Sequence, residues 1–383
     1  MKKKIWTLIS YILVSALSVA ITLGLVSWQK GGQSKLDQLE ALIDNCYIEE
    51  ADPVLLTDAA AEAMIAATGD RWSYYIPANE YAAYLENSEN AYVGIGITIT
   101  VAHDGSGLQI MEVNSGSSAE EAGLQVDDVI TAIEGQSAAD MTTTEARNLV
   151  RGKEGTPVEL TLWRQGQTRT VSVIRRKVEV QVAAGVLLED NVGLVTIENF
   201  DDRCASESIA AIESLLEQGA DKLIFDVRNN PGGYAHELVK LLDYLLPEGD
   251  LFRTVDYAGR ESVDRSDADC LDIPMAVLVN GDSYSAAEFF AVALQEYGAA
   301  AVVGEKTTGK GHFQSTFQLN DGSAVALSIG KYFTPKGISL EGVGITPDVE
   351  VIVEPETADE IYYGQLPPEE DPQIQAALDV LNR

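Results

Sequence analysis

From Val178 onward, short apolar runs and longer amphipathic segments alternate, and this alternation restricts the chain more than any other feature. Leu194–Ile197, Lys222–Val227, Met275–Asn280 and Ala301–Gly304 are short apolar runs that read as strands. Ala205–Gln218, His236–Leu246 and Ala286–Tyr297 carry apolar residues at helical spacing. Strands alternating with helices specify a layered α/β domain.

The texture ahead of it is different. From Tyr92, Ile95, Ile97 and Ile99 alternate with Gly96, Thr98 and Thr100, the period of a half-buried strand. Strands follow at Leu108–Ile110 and Asp128–Ile130, then a helix near Thr143–Val150. A strand pair, Val158–Arg164 and Thr168–Val173, is joined by Gln165-Gly166-Gln167. Leu36 to Glu86 reads as helical, broken at Gly69-Asp70-Arg71. The acidic, Pro-rich tail beyond Glu354 closes on a short helix, Pro372–Leu381. The organisation expected is therefore α+β and α/β multidomain: 1–30 a membrane anchor or signal segment, 31–90 a helical N-terminal segment, 91–177 a β-rich domain, 178–354 the layered domain, and 355–383 a tail with a short helix.

Met1-Lys2-Lys3-Lys4 precedes an uncharged run from Ile5 to Trp28. About 20 apolar residues span a bilayer as a helix. Lysines on its near side keep that end in the cytoplasm and export the rest. A transmembrane anchor is expected over a cleaved signal, because the run is long and no clear Ala-x-Ala site follows. That places the chain as a single-pass protein of the cell membrane, with its working domains extracytoplasmic, as in a bacterial envelope. A net charge of −34 repels nucleic acid and anionic headgroups, which removes nucleic acid as a partner. Three histidines and three cysteines without ligand spacing give no metal site, and no cofactor is implied. A Cys204–Cys270 bridge is left open beside the reading of free thiols.

Val93-Gly94-Ile95-Gly96-Ile97 can aim backbone amides into open space, where they would capture a chain-terminal carboxylate while the strand edge pairs with the peptide. The block Ser118 to Ile130, with Ala122-Gly123-Leu124 before Asp128-Val129-Ile130, resembles the signature of PDZ domains. Asp127 stands where the usual glycine would be. Asp226 to Gly233 ends a strand in adjacent glycines whose N–H groups can converge as an oxyanion hole, although a plain turn fits it too. Ser285 opens a helix, where the dipole stabilises negative charge, but Ser285-x-x-Glu288 also reads as an ordinary capping box. Gly304 to Gly311 nearly matches a P-loop. Gly311 stands where the magnesium hydroxyl should be, and the stretch after it lacks helical periodicity.

Taken with Asp70–Tyr75, Arg151–Thr156, Lys331–Gly337 and Gly342–Asp348, these blocks resemble the carboxyl-terminal processing proteases, also called tail-specific proteases, over nearly the whole exported chain. The resemblance implies a PDZ β-barrel and a layered ClpP/crotonase-like peptidase domain. It matches Ser285 to the family's nucleophile, Lys310 to its base and Gln314 to its glutamine. Tyr284 and Ala287 depart from the pattern without removing a reacting group. It also suggests that Arg151 couples PDZ occupancy to the active site.

The residues carry their own logic. A serine hydroxyl is a poor nucleophile until a base takes its proton. Lysine does so only when neutral, which burial favours from a reference pKa of about 10.4. On extended chain Lys310, His312 and Gln314 would share one side, letting Gln314 hold the lysine in line. Backbone N–H groups of Gly232 or Gly233 and of Ala286 would cradle the oxyanion. The partners expected are protein or peptide substrates with apolar C-terminal tails, the membrane, and further copies of the chain. His312 as the base is the internal rival, with no partner acid evident in the sequence. A catalytically silent membrane-tethered PDZ scaffold is the alternative reading of the whole chain.

Overall fold

The structure, a computed structural model, describes residues 34–382. The run Ile5–Trp28 and the anchor expected there lie outside the described residues. Among the described residues no helix is long and apolar enough to cross a membrane. The chain divides into two compact units between Tyr75 and Ile76.

In the first unit the helical stretch resolves into α1 (Lys35–Cys46) and α2 (Pro53–Ala66), followed by the short strand β1 (Tyr74–Ile76) at the division. Ser34 and Asp37 cap α1 reciprocally: Ser34 N–H donates to Asp37 Oδ2 at 2.8 Å, and Asp37 N–H to Ser34 Oγ at 3.1 Å. Asp52 and Pro53 start α2, with Val54 N–H donating to Asp52 Oδ1 at 2.8 Å. Neither helix buries a residue.

The second unit opens on α3 (Tyr81–Ser88) and β2 (Ala91–Gly94). A small barrel-like sheet follows. Its strands are β3 (Ile97–Val101), β4 (Leu108–Val113), β5 (Val129–Ile133), β6 (Gln136–Ser137), β7 (Pro157–Arg164) and β8 (Gln167–Ile174). The order is β3-β4-β5-β7-β8, with β6 paired to β5, so β3 is an edge strand. The helices α4 (Ser118–Glu121) and α5 (Thr143–Val150) interrupt it. Every second residue, Leu108 and Ile110, then Leu160 and Leu162, fills its core. The β7–β8 hairpin turns on two residues, Gln165 and Gly166, both at positive φ, and Gln167 already pairs with Arg164. Asp127 sits at φ +70°, which explains the glycine usual at that position. The strand β9 (Arg176–Glu179) pairs back onto β2.

The layered domain has a central sheet in the order β10 (Ala183–Leu187), β11 (Val192–Ile197), β12 (Lys222–Asp226), β15 (Met275–Val279), β16 (Ala300–Gly304), β19 (Val349–Glu350). β10 runs antiparallel to β11; the other neighbours are parallel. The helices α6 (Cys204–Glu217), α7 (Ala235–Leu245) and α8 (Ala286–Tyr297) share one core with Phe225, Val277 and Val279 of the sheet. Ile224, Ala276 and Leu278 point the other way, into a core closed by Ile374 and Ala377. Burial on both faces is why these strands read as continuous apolar runs. Between β12 and β15 come β13 (Gly249–Asp256) and β14 (Glu261–Ser266), which join β17 (His312–Gln318) and β18 (Ala324–Phe333) in a second, antiparallel sheet. Aromatic contacts of Phe252, Phe289, Phe313 and Tyr332 pack it onto α8. The tail folds as α9 (Pro355–Tyr362) and α10 (Pro372–Leu381), and Ile374 and Ala377 belong to α10.

All three cysteines are free. Cys204 is buried in α6, and burial pushes its thiol up to about 12, so it is chemically quiet.

Candidate active site

In a parallel sheet, sites gather at the C-terminal ends of the strands. Three loops do so here, leaving the neighbouring strands β12, β15 and β16. The first, Val227–Gly233, is locked to the second by a reciprocal pair of asparagines. Asn229 N–H donates to Asn280 Oδ1 at 2.9 Å, and Asn280 Nδ2 to Asn229 Oδ1 at 2.8 Å. The buried Ser283 adds a bond from Oγ to the Val227 carbonyl at 2.7 Å.

The second loop delivers Ser285 at the head of α8, with φ 58° and ψ −124°. A non-glycine residue rarely holds that conformation, and such strain concentrates at functional positions. Ser285 is 7% exposed, and Gly232 lies against it. A Cβ on Gly232 would come within 2.8 Å of both Ser285 Cβ and the Ala286 nitrogen, and Gly232 has φ +87°. Gly232 N–H is taken by Asn230 Oδ1 at 2.8 Å. The bridge between Phe200 and Gly233 uses the Gly232 carbonyl and the Tyr234 N–H. Among the described residues, Gly233 N–H and Ala286 N–H therefore donate to no protein acceptor.

The third loop carries Lys310. Its backbone N–H donates to Glu288 Oε2 at 2.7 Å, and its Nζ lies 5.6 Å from the centre of the Tyr284 ring. Glu288 is fully buried and joins the two loops. It also accepts from Ser285 N–H at 3.0 Å, Gly309 N–H at 2.8 Å and Thr307 Oγ at 2.5 Å. Burial raises its carboxyl above the ordinary glutamate value, although these four donors pull the other way. Sequence reasoning found Glu288 only as a helix cap. Its role as a tie between loops depends on Gly309 and Lys310, 21 and 22 residues further along the chain.

Gln314 Nε2 donates to the His312 carbonyl and to Ser328 Oγ, each at 3.1 Å. His312 Nδ1 is buried without a hydrogen bond, 3.6 Å from Glu341 Oε2. An acid thus does lie beside His312, and it also accepts from Gly311 N–H at 2.8 Å. No helix follows Gly311; β17 begins at His312, and the phosphate-loop reading falls with it. Below the first loop, Arg228 is buried between Asp226 (2.5 Å) and Asp371 (2.8 Å), and bonds Gln373 Oε1 at 2.9 Å. This cluster, absent from the sequence-based site, ties the loop to the start of α10.

A cavity of about 280 Å³ lies in the β-rich domain, between the edge strand β3 and α5. Gly94, Ile95, Gly96 and Ile97 line one side. Val93 does not; it is held in β2 opposite Lys177. Gly96 has φ +79°, and a Cβ there would meet Ser117 Cβ at 2.5 Å. Among the described residues the N–H groups of Ile95 and Gly96 donate to no protein acceptor. Arg151 closes one end, its guanidinium 4.4 Å from the centre of the Tyr92 ring and 3.4 Å from Glu86 of α3.

Comparison with known proteins places two family models on the chain. Residues 191–351 match the model of peptidase family S41, and residues 109–164 that of the PDZ domain. A carboxyl-terminal-processing protease of Picosynechococcus sp. is 34% identical over 86% of this chain and 81% of its own length. A probable CtpA-like serine protease of Staphylococcus saprophyticus is 32% identical over 90% of this chain and 72% of its own. A solved putative S41 protease from Bacteroides fragilis shares the fold, with TM-score 0.51 at 17% identity over 84% of this chain and 90% of that one. The protein is a serine-type peptidase with a PDZ domain. It belongs to peptidase family S41, among the carboxyl-terminal processing proteases.

Proposed function

We propose that the chain is a membrane-anchored, extracytoplasmic endopeptidase of a bacterial envelope. In this reading it binds C-terminal tails in the β3–α5 groove and cuts peptide bonds with Ser285 and Lys310. The observation that carries it is the strained, buried Ser285 tied through Glu288 to the Lys310 loop. Neutral Lys310 takes the Ser285 proton as Oγ attacks the scissile carbonyl. Gly233 N–H and Ala286 N–H, which donate to no protein acceptor among the described residues, hold the oxyanion. Lys310 then gives its proton to the departing amine, leaving an acyl-serine, and accepts one again from the water that hydrolyses it. With Nε2 of Gln314 held by two acceptors, its carbonyl oxygen is the group offered to the lysine. Tyr284 covers Lys310 on one side and limits its access to water.

Arg151 belongs to the coupling in this reading. It ends α5 at the groove and reaches α3 through Glu86, so a tail that moves α5 moves it too. The exposed Leu39, Leu42 and Leu55 of α1 and α2 support self-association.

The test incubates the full-length chain with an unstructured protein bearing an apolar C-terminus, followed by mass spectrometry. Cleavage should vanish in Ser285→Ala and Lys310→Ala, and lose its dependence on the tail in Arg151→Ala. Activity kept in Lys310→Ala but lost in His312→Ala would establish the histidine as base instead. Tail binding without cleavage by any form would establish the scaffold.

A further inference from the structure

The groove contains a cation that neither the fold nor the proposed chemistry employs. Arg147 of α5 lines the cavity, is solvent-exposed, and forms no ion pair among the described residues. The acidic residues bonded to the groove and its helix have other partners. Glu145 caps the helix through Thr142, Glu86 is paired with Arg151, and Glu112 on β4 lies 3.4 Å from Thr98 Oγ. The Arg151 guanidinium lies over Tyr92, and its Nε is buried without a hydrogen-bond partner. In a chain of net charge −34, this groove is a place where two cations face one cavity.

The register of a bound tail follows from the groove. Its carboxylate would meet the N–H groups of Ile95 and Gly96, and its backbone would pair along β3. Side chains alternate at about 3.4 Å per residue, so the last and third-from-last residues face α5, about 7 Å apart. Val150, in one core with Ile95, borders the position of the last residue. Arg147 lies one helical turn back, about 4.5 Å along the axis, and its long side chain spans the remainder.

We propose that the groove selects tails carrying Asp or Glu as the third residue from the C-terminus, read by Arg147, with a small or apolar last residue. The inference rests on the tail-binding reading above and adds the class of tail. An exposed pair of this kind is worth up to about 1 kcal/mol, or about fivefold in affinity, and weakens with salt.

Labelled decapeptides of one sequence are titrated by fluorescence anisotropy into the full-length chain carrying Ser285→Ala. The third residue from the end is Glu, Gln or Lys; a fourth peptide moves the Glu to the penultimate place, and a fifth ends in a carboxamide. The Glu peptide should bind about fivefold tighter than the Gln peptide at low salt. The advantage should shrink at high salt and disappear in Arg147→Gln. In Arg147→Glu the Lys peptide should bind better than the Glu peptide. Equal binding of Glu and Gln tails, or a Glu preference that survives Arg147→Gln or follows the penultimate position, overturns the proposal alone. Failure to bind any tail, or equal binding of the carboxamide, overturns tail capture and this inference with it.

Discussion

Glu288 accepts four hydrogen bonds on two oxygens, two of them from the backbones of Ser285 and Lys310. Glutamine at that position keeps the shape but turns an NH2 toward donors, which pushes the loops apart. Because a misplacement of about 1 Å costs about 100-fold in rate, Glu288→Gln should lower kcat by about that factor. KM and tail affinity should be nearly unchanged, a split that steady-state kinetics reads directly. Asp201, beside the Phe200–Gly233 bridge, behaves differently. Burial, then the neighbouring Asp202, pushes its carboxyl up to about 7. The folded state favours the protonated acid. The stability it contributes is therefore full below the unfolded aspartate value of about 4 and is lost as pH rises through about 7. Thermal melts of wild type should show that decline between these limits, and Asp201→Asn should flatten it.

At the scale of elements, the loops after β12 and β15 approach so closely that only glycine fits at position 232. Gly232→Ala should abolish cleavage while leaving tail binding intact, and should cost about 1–3 kcal/mol in a urea titration. The central strands and helices were legible in sequence because both faces of that sheet are buried, which leaves long apolar runs such as Met275–Val279. The outer elements were not. Gly249–Asp256 and Glu261–Ser266 mix charge with half-exposed apolar residues, and Pro355–Tyr362 buries nothing, so none carries a clean period. The same division holds in the site. Ser285 and Lys310 were reached in sequence through the family resemblance of the blocks that carry them. The commitment of Gly232 N–H to Asn230, the acid beside His312 and the Arg228 cluster depend on partners that only the fold brings close.

Across the whole molecule, the C-terminal helix α10 closes one face of the central sheet and is clamped beneath the active-site loop by Arg228. Removing one partner of a buried ion pair leaves a charge uncompensated, at a cost of about 3 kcal/mol. Asp371→Ala should lower the urea midpoint accordingly and reduce cleavage as the loop loosens, although the substitution lies far along the chain from Ser285. The order of assembly also follows from the sheet. Phe225 pairs with Val277, and Val277 with Val302, so the strands that hold the three loops meet only after long stretches of chain have been closed, a slow class of contact. Until they meet, the loops that carry Ser285 and Lys310 are apart, and the chemistry proposed for them has no site. The nascent enzyme is thereby harmless to itself and its neighbours, since its cutting power first appears when folding is complete.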